Sequence, residues 1–174
     1  RRVARGEGVV RTAVVGIGRG VSVTGARVVA GVRVVVAPGQ AARAAAATVA
    51  AECGHDVTLF DSSDRIGGQF KVAMQIPGKE EFRETLRYFG RRIAVSGVEL
   101  RLGKRVTADD LAAGGYDEIV LATGVTPRDP RIEGDDEQRR EGRLLSYMDV
   151  LLARRQVGRR VAIVGAGGLG FDVA

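Results

Sequence analysis

Tryptophan is missing from this chain, cysteine and histidine occur once each, and there are only four prolines. With Cys53 alone, an internal disulfide and any four-cysteine metal site are excluded. No run of about 18 apolar residues occurs, so no transmembrane helix is expected. The basic N-terminus lacks a leucine-rich apolar core and a clean cleavage site, so no secretory signal is read. One cysteine without a signal fits a reducing cytoplasm. His55 follows a helical stretch and precedes an apolar one, the setting of a surface turn histidine rather than a base. What is present is globular: 174 residues, 45% hydrophobic and 28% charged, are enough to bury a core of about one domain.

Acidic residues are scarce in one segment only. Residues 1–33 carry seven arginines against Glu7, whereas residues 34–174 carry 20 basic and 20 acidic side chains. The whole net charge of +6 therefore sits in the head. A basic tail that binds nucleic acid is one reading of it, but the head has no aromatic interleaving and no recognised fold. Residues 1–33 also lack Leu, Lys, Asp, Asn, Phe and Tyr, and glycine interrupts every stretch of valine. No period of 2 or 3.6 makes a stable face there. The bias toward Arg, Val, Gly and Ala continues to about Ala47, and all four have codons beginning with G or C. The head is expected to be poorly structured or to come from an altered reading frame.

Beyond the head the pattern is regular. Alanine predicts a helix over 40–53, stopped by Gly54. Val57–Phe60 reads as a strand ending in Asp61, and 62–68 as a polar loop with glycines. Phe82, Leu86, Phe89 and Ile93 stripe one face of a helix over 79–95. Residues 98–102 and 104–106 are strand-like. Thr107 is placed to cap a helix over 108–113. Ile119–Ala122 reads as a buried strand, 133–143 as an exposed charged connection, and Ser146 as the cap of a helix through Leu152. Val161–Val164 reads as a strand. Alternation of this kind implies an α/β fold with a parallel sheet.

Three motifs carry chemistry. Val161–Val164 feeds Gly165-Ala-Gly-Gly-Leu-Gly170, a G-x-G-x-x-G turn. Its glycines permit a tight turn, close approach of a pyrophosphate, and close packing of the next helix on the strand. N–H groups at the helix start then face the phosphates. Gly168 lies within the same turn. Asp61 is the second motif, because an acid at such a strand end accepts hydrogen bonds from ribose hydroxyls, although a plain turn aspartate looks alike. Gly67 and Gly68, followed by Gln69, offer backbone that a cofactor could approach. The third is a strand running into Ala122-Thr123-Gly124, small residues that let a dinucleotide pass.

These stretches resemble the FAD/NAD(P)H region of the NADPH-dependent 2,4-dienoyl-CoA reductases, within the old yellow enzyme-like flavoproteins. The matching segments include His55–Asp61, Ile66-Gly-Gly-Gln-Phe70, Gln75–Phe82, Thr85–Tyr88, Arg105–Asp109, Leu121–Gly124, Leu145–Leu151 and Gly165–Asp172. The resemblance covers about residues 44–174. It implies a partial Rossmann-like FAD-binding domain over 34–158 and the first strand-turn-helix of an NAD(P)H-binding unit over 159–174. It further implies that Asp61 holds the adenosine ribose of FAD and that Gln69 and Lys79 touch the cofactor, Lys79 as a cation for phosphate. Val106 would meet adenine through its backbone, Ala42 would lie in the first phosphate turn, and Gly165, Gly167 and Gly170 would begin the NADPH site. In that family electrons pass from NADPH through FAD and an iron–sulfur cluster to FMN in a barrel, where an enoyl thioester of fatty acid β-oxidation is reduced. The barrel, the FMN site and the cluster cysteines have no counterpart in these residues.

One departure matters. The first fingerprint falls on positions 38, 40 and 43, which hold Pro38, Gln40 and Arg43. Gly39 is the glycine left in that turn. Gln40 and Arg43 put side chains where pyrophosphate and helix packing need none. Gly16, Gly18 and Gly20 lie too far from Asp61 to replace them within one βαβ unit. The chain ends at Ala174, before the residue that separates NAD from NADP, so a weak nicotinamide site is expected. The reading is a fragment of a flavin-dependent oxidoreductase, with a non-catalytic remnant as its alternative.

Overall fold

The structure, a computed structural model, describes residues 10–16, 33–36, 40–125, 127 and 132–174. Its elements run β1 (Arg11–Gly16), β2 (Arg33–Val36), α1 (Gln40–Glu52), β3 (Asp56–Asp61), α2 (Gln69–Ala73), α3 (Phe82–Val95), β4 (Glu99–Arg101), α4 (Ala108–Ala113), β5 (Glu118–Leu121), α5 (Asp135–Arg140), α6 (Tyr147–Leu151) and α7 (Gly168–Asp172). The fold is α/β with a parallel sheet, as the alternation required. Two compact units divide the chain. One comprises the described residues up to Gly68 and those of 85–126; the other comprises Gln69–Glu84 and the described residues from Pro127 on.

The first unit holds a five-stranded sheet in the order β2-β5-β1-β3-β4, and every pairing is parallel. Period-2 alternation sends its residues to two faces. Val14, Val57 and Leu59 pack with Ala44 and Ala47 of α1 and with Ile93 of α3. Ala13, Val15 and Phe60 pack on the other side with Val106 and Tyr116. Residues of β3 after Asp56 are all buried, the pattern of a strand covered on both faces. The alanines of α1 are what let it lie close to the strands. Thr48 is buried within it because its hydroxyl donates to the Ala44 carbonyl at 3.0 Å. Gly54, at φ +90, ends the turn after α1 and Gly97, at φ +78, the turn after α3; both conformations suit glycine.

The middle strand departs from the sequence reading of the head at residues 11–16; residues 1–9 and 17–32 lie outside the described residues. Arg11–Gly16 forms β1, with Thr12–Val15 buried. Its start is tied to β5: the Arg11 N–H donates to Asp117 Oδ2 at 2.8 Å, and its guanidinium donates to the Gly114 carbonyl at 3.0 Å. Neighbours on both sides complete the ladder, and local glycine content gave no hint of them. Arg33–Val36 is likewise a strand, at the sheet edge. His55 sits at the amino end of the sheet, where its Nδ1 lies 2.8 Å from the Thr12 hydroxyl, a structural tie.

The second unit is helical among its described residues. Phe70 and Phe82 stack with ring centroids 4.8 Å apart, and Val72 and Ile76 are buried. Two expectations are corrected here. The charged connection contains α5, whose acids Asp135, Asp136 and Glu137 lie in the first turn and whose bases Arg139 and Arg140 lie in the last, which suits the helix dipole. Val161–Val164 is not a strand, because no described segment hydrogen-bonds to it. Val161 is 57% and Val164 70% exposed. No described helix is long and apolar enough to cross a membrane.

Candidate functional site

In an open parallel sheet, ligands bind beyond the carboxyl ends of the strands. Here β1, β3 and β5 finish side by side. Gly16 is in register with Asp61, and the Ala122 N–H just after β5 donates to the Val15 carbonyl at 2.9 Å. Gly16 thus reaches the acid despite the separation in sequence, though not through one βαβ unit, since β2 and α1 intervene. Gly18, Gly20, Pro38 and Gly39 lie outside the described residues. Ala122 is fully buried, Thr123 is half-buried, and Gly124 turns away at φ +76. Gly67 and Gly68 leave the Asp61 loop at φ +129 and φ +41, conformations that glycine supplies. Val106 buries its side chain with Phe60 and Tyr116.

The acid itself is already engaged. Arg43, one turn into α1, places Nη2 at 2.7 Å from Asp61 Oδ2, and the two side chains are only 4% and 5% exposed. The other oxygen, Oδ1, accepts the Ser63 N–H at 3.0 Å. The Asp61 carbonyl accepts the Lys104 N–H at 3.1 Å, and Gly103 N–H donates to Ser63 at 2.8 Å. These bonds lock the loop around the carboxylate. Burial pulls the Arg43 guanidinium below its ordinary value and the charge of Asp61 pushes it back. An arginine stays charged under these conditions, so this is a buried ion pair. Ala42 lies beside Arg43 on the first turn of α1 and is half-buried.

A dinucleotide ribose needs a carboxylate that its hydroxyls can reach at this point. Each Asp61 oxygen accepts one bond from within the chain, the carboxylate is enclosed behind Arg43, and the arginine stands where the third fingerprint glycine belongs. These residues do not fit FAD as they are arranged, and no chemical step is derived through it.

In the second unit the terminal turn keeps its shape. Gly165 has φ +121, and Gly167 precedes α7 with extended backbone. A side-chain carbon at Gly167 or Gly168 would meet nothing within 4 Å, which is the open approach a phosphate requires. At Gly170 it would lie 2.1 Å from the Gly165 carbonyl oxygen, so the helix start can fold against the turn only without one. Gly170 and Phe171 N–H both donate to the Gly167 carbonyl. Gln69 opens α2 and is half-buried. Lys79 is not an open cation: its Nζ lies 2.6 and 2.7 Å from the two oxygens of Asp172, which follows the turn.

Sequence reasoning named Asp61, the β5 end and the terminal glycines, and the structure puts Asp61 and the β5 end at the carboxyl side of one sheet and the glycines at the start of α7. Sequence reasoning missed Gly16 as a strand end, the Arg43 pairing and the Asp172 pairing. The run Val14-Val15-Gly16 was the available signal for the first. Among the described residues no group of His, Cys, Asp and Glu could hold a metal.

Comparison with known proteins agrees with the α/β fold. The family described as pyridine nucleotide-disulphide oxidoreductase matches residues 32–174. The chain is 33% identical to cinnamate reductase of Clostridium sporogenes over 82% of its own length and 20% of that protein. It is 37% identical to N,N-dimethylglycine/sarcosine dehydrogenase of Chromohalobacter salexigens over 75% of the chain and 19% of that protein. Among solved structures, a 2-naphthoyl-CoA reductase superposes with a TM-score of 0.70 at 34% identity, covering 82% of this chain and 21% of the other. The chain spans about a fifth of the length of the curated relatives it matches.

Proposed function

The chain belongs to the pyridine nucleotide-disulphide oxidoreductase family, whose cofactors are FAD and NAD(P), and we propose that it derives from a reductase that passes electrons from NADPH through a flavin to an unsaturated or aromatic acyl substrate. The 2,4-dienoyl-CoA reductase group is the nearest reading of its motifs. The names of two relatives, cinnamate reductase and 2-naphthoyl-CoA reductase, support that substrate class. In this reading 34–158 is the FAD-type domain and 159–174 begins the NADPH unit.

The observation that carries the reading is the turn Gly165–Gly170. Gly165 supplies the positive φ of the turn, Gly167 and Gly168 leave open backbone where a pyrophosphate lies, and Gly170 lets α7 start against the Gly165 carbonyl. NADPH, when bound, supplies a hydride; these residues only bind and orient its phosphates. The enclosed Asp61 favours a second reading, in which the chain keeps the fold and has given up flavin chemistry.

The test is NADPH binding by the full chain and by Gly167→Val, followed by NADPH fluorescence. The substitution meets open space within the fold but blocks the phosphate approach. Saturable binding that the variant abolishes supports the nicotinamide reading. Binding indifferent to the variant, or no saturable binding, removes it.

A further inference from the structure

We infer that Arg43 is a built-in plug: it occupies the ribose acceptor of the first dinucleotide site, so that this chain folds as a flavoprotein domain with its adenosine subsite closed from inside. The inference rests on the reading of that rim as a former dinucleotide site. Three observations carry it. First, Asp61 holds the strand-end position opposite Gly16, where the sheet topology puts a ribose. Second, each of its oxygens already accepts one bond, from the Arg43 guanidinium and from the Ser63 N–H, and with the carboxylate 5% exposed its remaining lone pairs are enclosed, so a ribose hydroxyl cannot reach them while Arg43 stays in place. Third, the pair is buried, so a ribose would have to displace a desolvated charge rather than water.

The geometry also says what the plug excludes. Arg43 is on the first turn of α1, the helix whose start faces the pyrophosphate in this class of fold. Its guanidinium reaches the acid at the end of the next strand, β3, and so spans the position of the adenosine half. A ligand without an adenosine ribose has no use for Asp61. FAD and ADP-ribose are therefore blocked, whereas FMN is indifferent to Arg43.

The experiment titrates the full chain and its Pro38→Gly/Gln40→Gly variant, each with and without Arg43→Gly, with FAD, ADP-ribose and FMN. In the double-glycine background Arg43→Gly tightens FAD and ADP-ribose by roughly tenfold or more, the worth of a hydrogen bond to a charged group, and leaves FMN unchanged. If a folded Arg43→Gly variant gains nothing for either adenosine ligand, the plug is overturned, and the flavin reading of this rim falls with it. A different failure leaves that reading intact: the unaltered chain binds FAD, and Asp61→Asn weakens it by roughly tenfold or more. Then Asp61 reaches the ribose despite Arg43. Should circular dichroism show that Arg43→Gly does not fold, Asp61→Asn decides alone. Loss of FAD affinity then overturns the plug, and no loss supports it.

Discussion

At the carboxyl end of β3 a buried acid is filled by a side chain from α1, whereas at the start of α7 the same kind of turn keeps its glycines and stays open. The acid belongs to a unit with a five-stranded parallel sheet. The open turn follows Val161–Val164, which is exposed and unpaired among the described residues. The difference separates two requirements that dinucleotide folds usually meet together. A sheet needs burial, and Val14, Val15, Val57 and Leu59 supply it at about 1.5–3 kcal/mol per side chain. A phosphate turn needs backbone cleared of side chains, which contributes nothing to the core. In unit one burial is met and Arg43 occupies the space beside the acid, whereas at the terminal turn the backbone is clear and the residues before it are exposed.

The largest expected effect breaks the first half of that comparison. Arg43→Ala leaves the Asp61 carboxylate buried without its cation, and the chain loses about 3–5 kcal/mol of stability in urea denaturation. Replacing both partners by apolar residues, Arg43→Met with Asp61→Leu, is expected to cost little, because no charge is then left in the interior. A single-variant loss below about 1 kcal/mol would show that the pair behaves as a solvated surface bridge. The next effect sharpens the second half. Gly170→Ala drives a carbon to 2.1 Å from the Gly165 carbonyl oxygen, so the turn must shift, at about 1–3 kcal/mol. Gly167→Ala meets open space and ordinary extended backbone, and costs under about 1 kcal/mol. Amide exchange at Gly170 and Phe171, both bonded to the Gly167 carbonyl, reads the contrast directly. Equal acceleration in the two variants would mean that the close approach at Gly170 does not hold the turn.

What the sequence disclosed follows the range of the forces involved. The capped helix α4 was readable from Thr107 and its neighbours, because a capping box is settled within four residues. The stripe of α3 was readable for the same reason. The strand β3 was readable because it is buried on both faces, so that between its terminal aspartates only Thr58 is polar. Strand β1 was not, since its partners lie 45 and more than 100 positions away and its glycine-rich surroundings mask it. Val161–Val164 fails in the opposite direction: its residues are ideal for a strand, but a strand exists only with a neighbour. At the site, the position of Asp61 was legible and its partner was not. Arg43 reads as an intrusion into a fingerprint until the parallel crossover brings the first turn of α1 to the end of β3. The helix α5 is written in its charge order, acids first and bases last, but residues that are all polar carry no apolar stripe to set it apart from a loop.

The smallest effect probes whether the two units share one stability. Each carries the same local device. Thr107 accepts the Asp110 N–H at 3.1 Å while Asp110 Oδ2 accepts the Thr107 N–H at 2.9 Å; Ser146 and Asp149 repeat this at 3.2 and 2.8 Å. Thr107→Ala and Ser146→Ala should each remove about 1 kcal/mol from the helix they cap. Global denaturation followed at the sheet will register the first. It will register the second only if the units unfold together, since a helix that melts separately withdraws its cap before the sheet opens. The acid adds a pH signature to the first unit. Hydrogen bonds from the Thr107 N–H, then from its hydroxyl, hold the Asp110 carboxyl below its ordinary 3.8. A depressed folded value means that the contribution is complete above 3.8 and is lost as the pH falls through the lower folded value. Asp110→Asn should therefore flatten the acid limb of the stability curve there, and an unaltered limb would show that the box does not hold the carboxylate in its charged form.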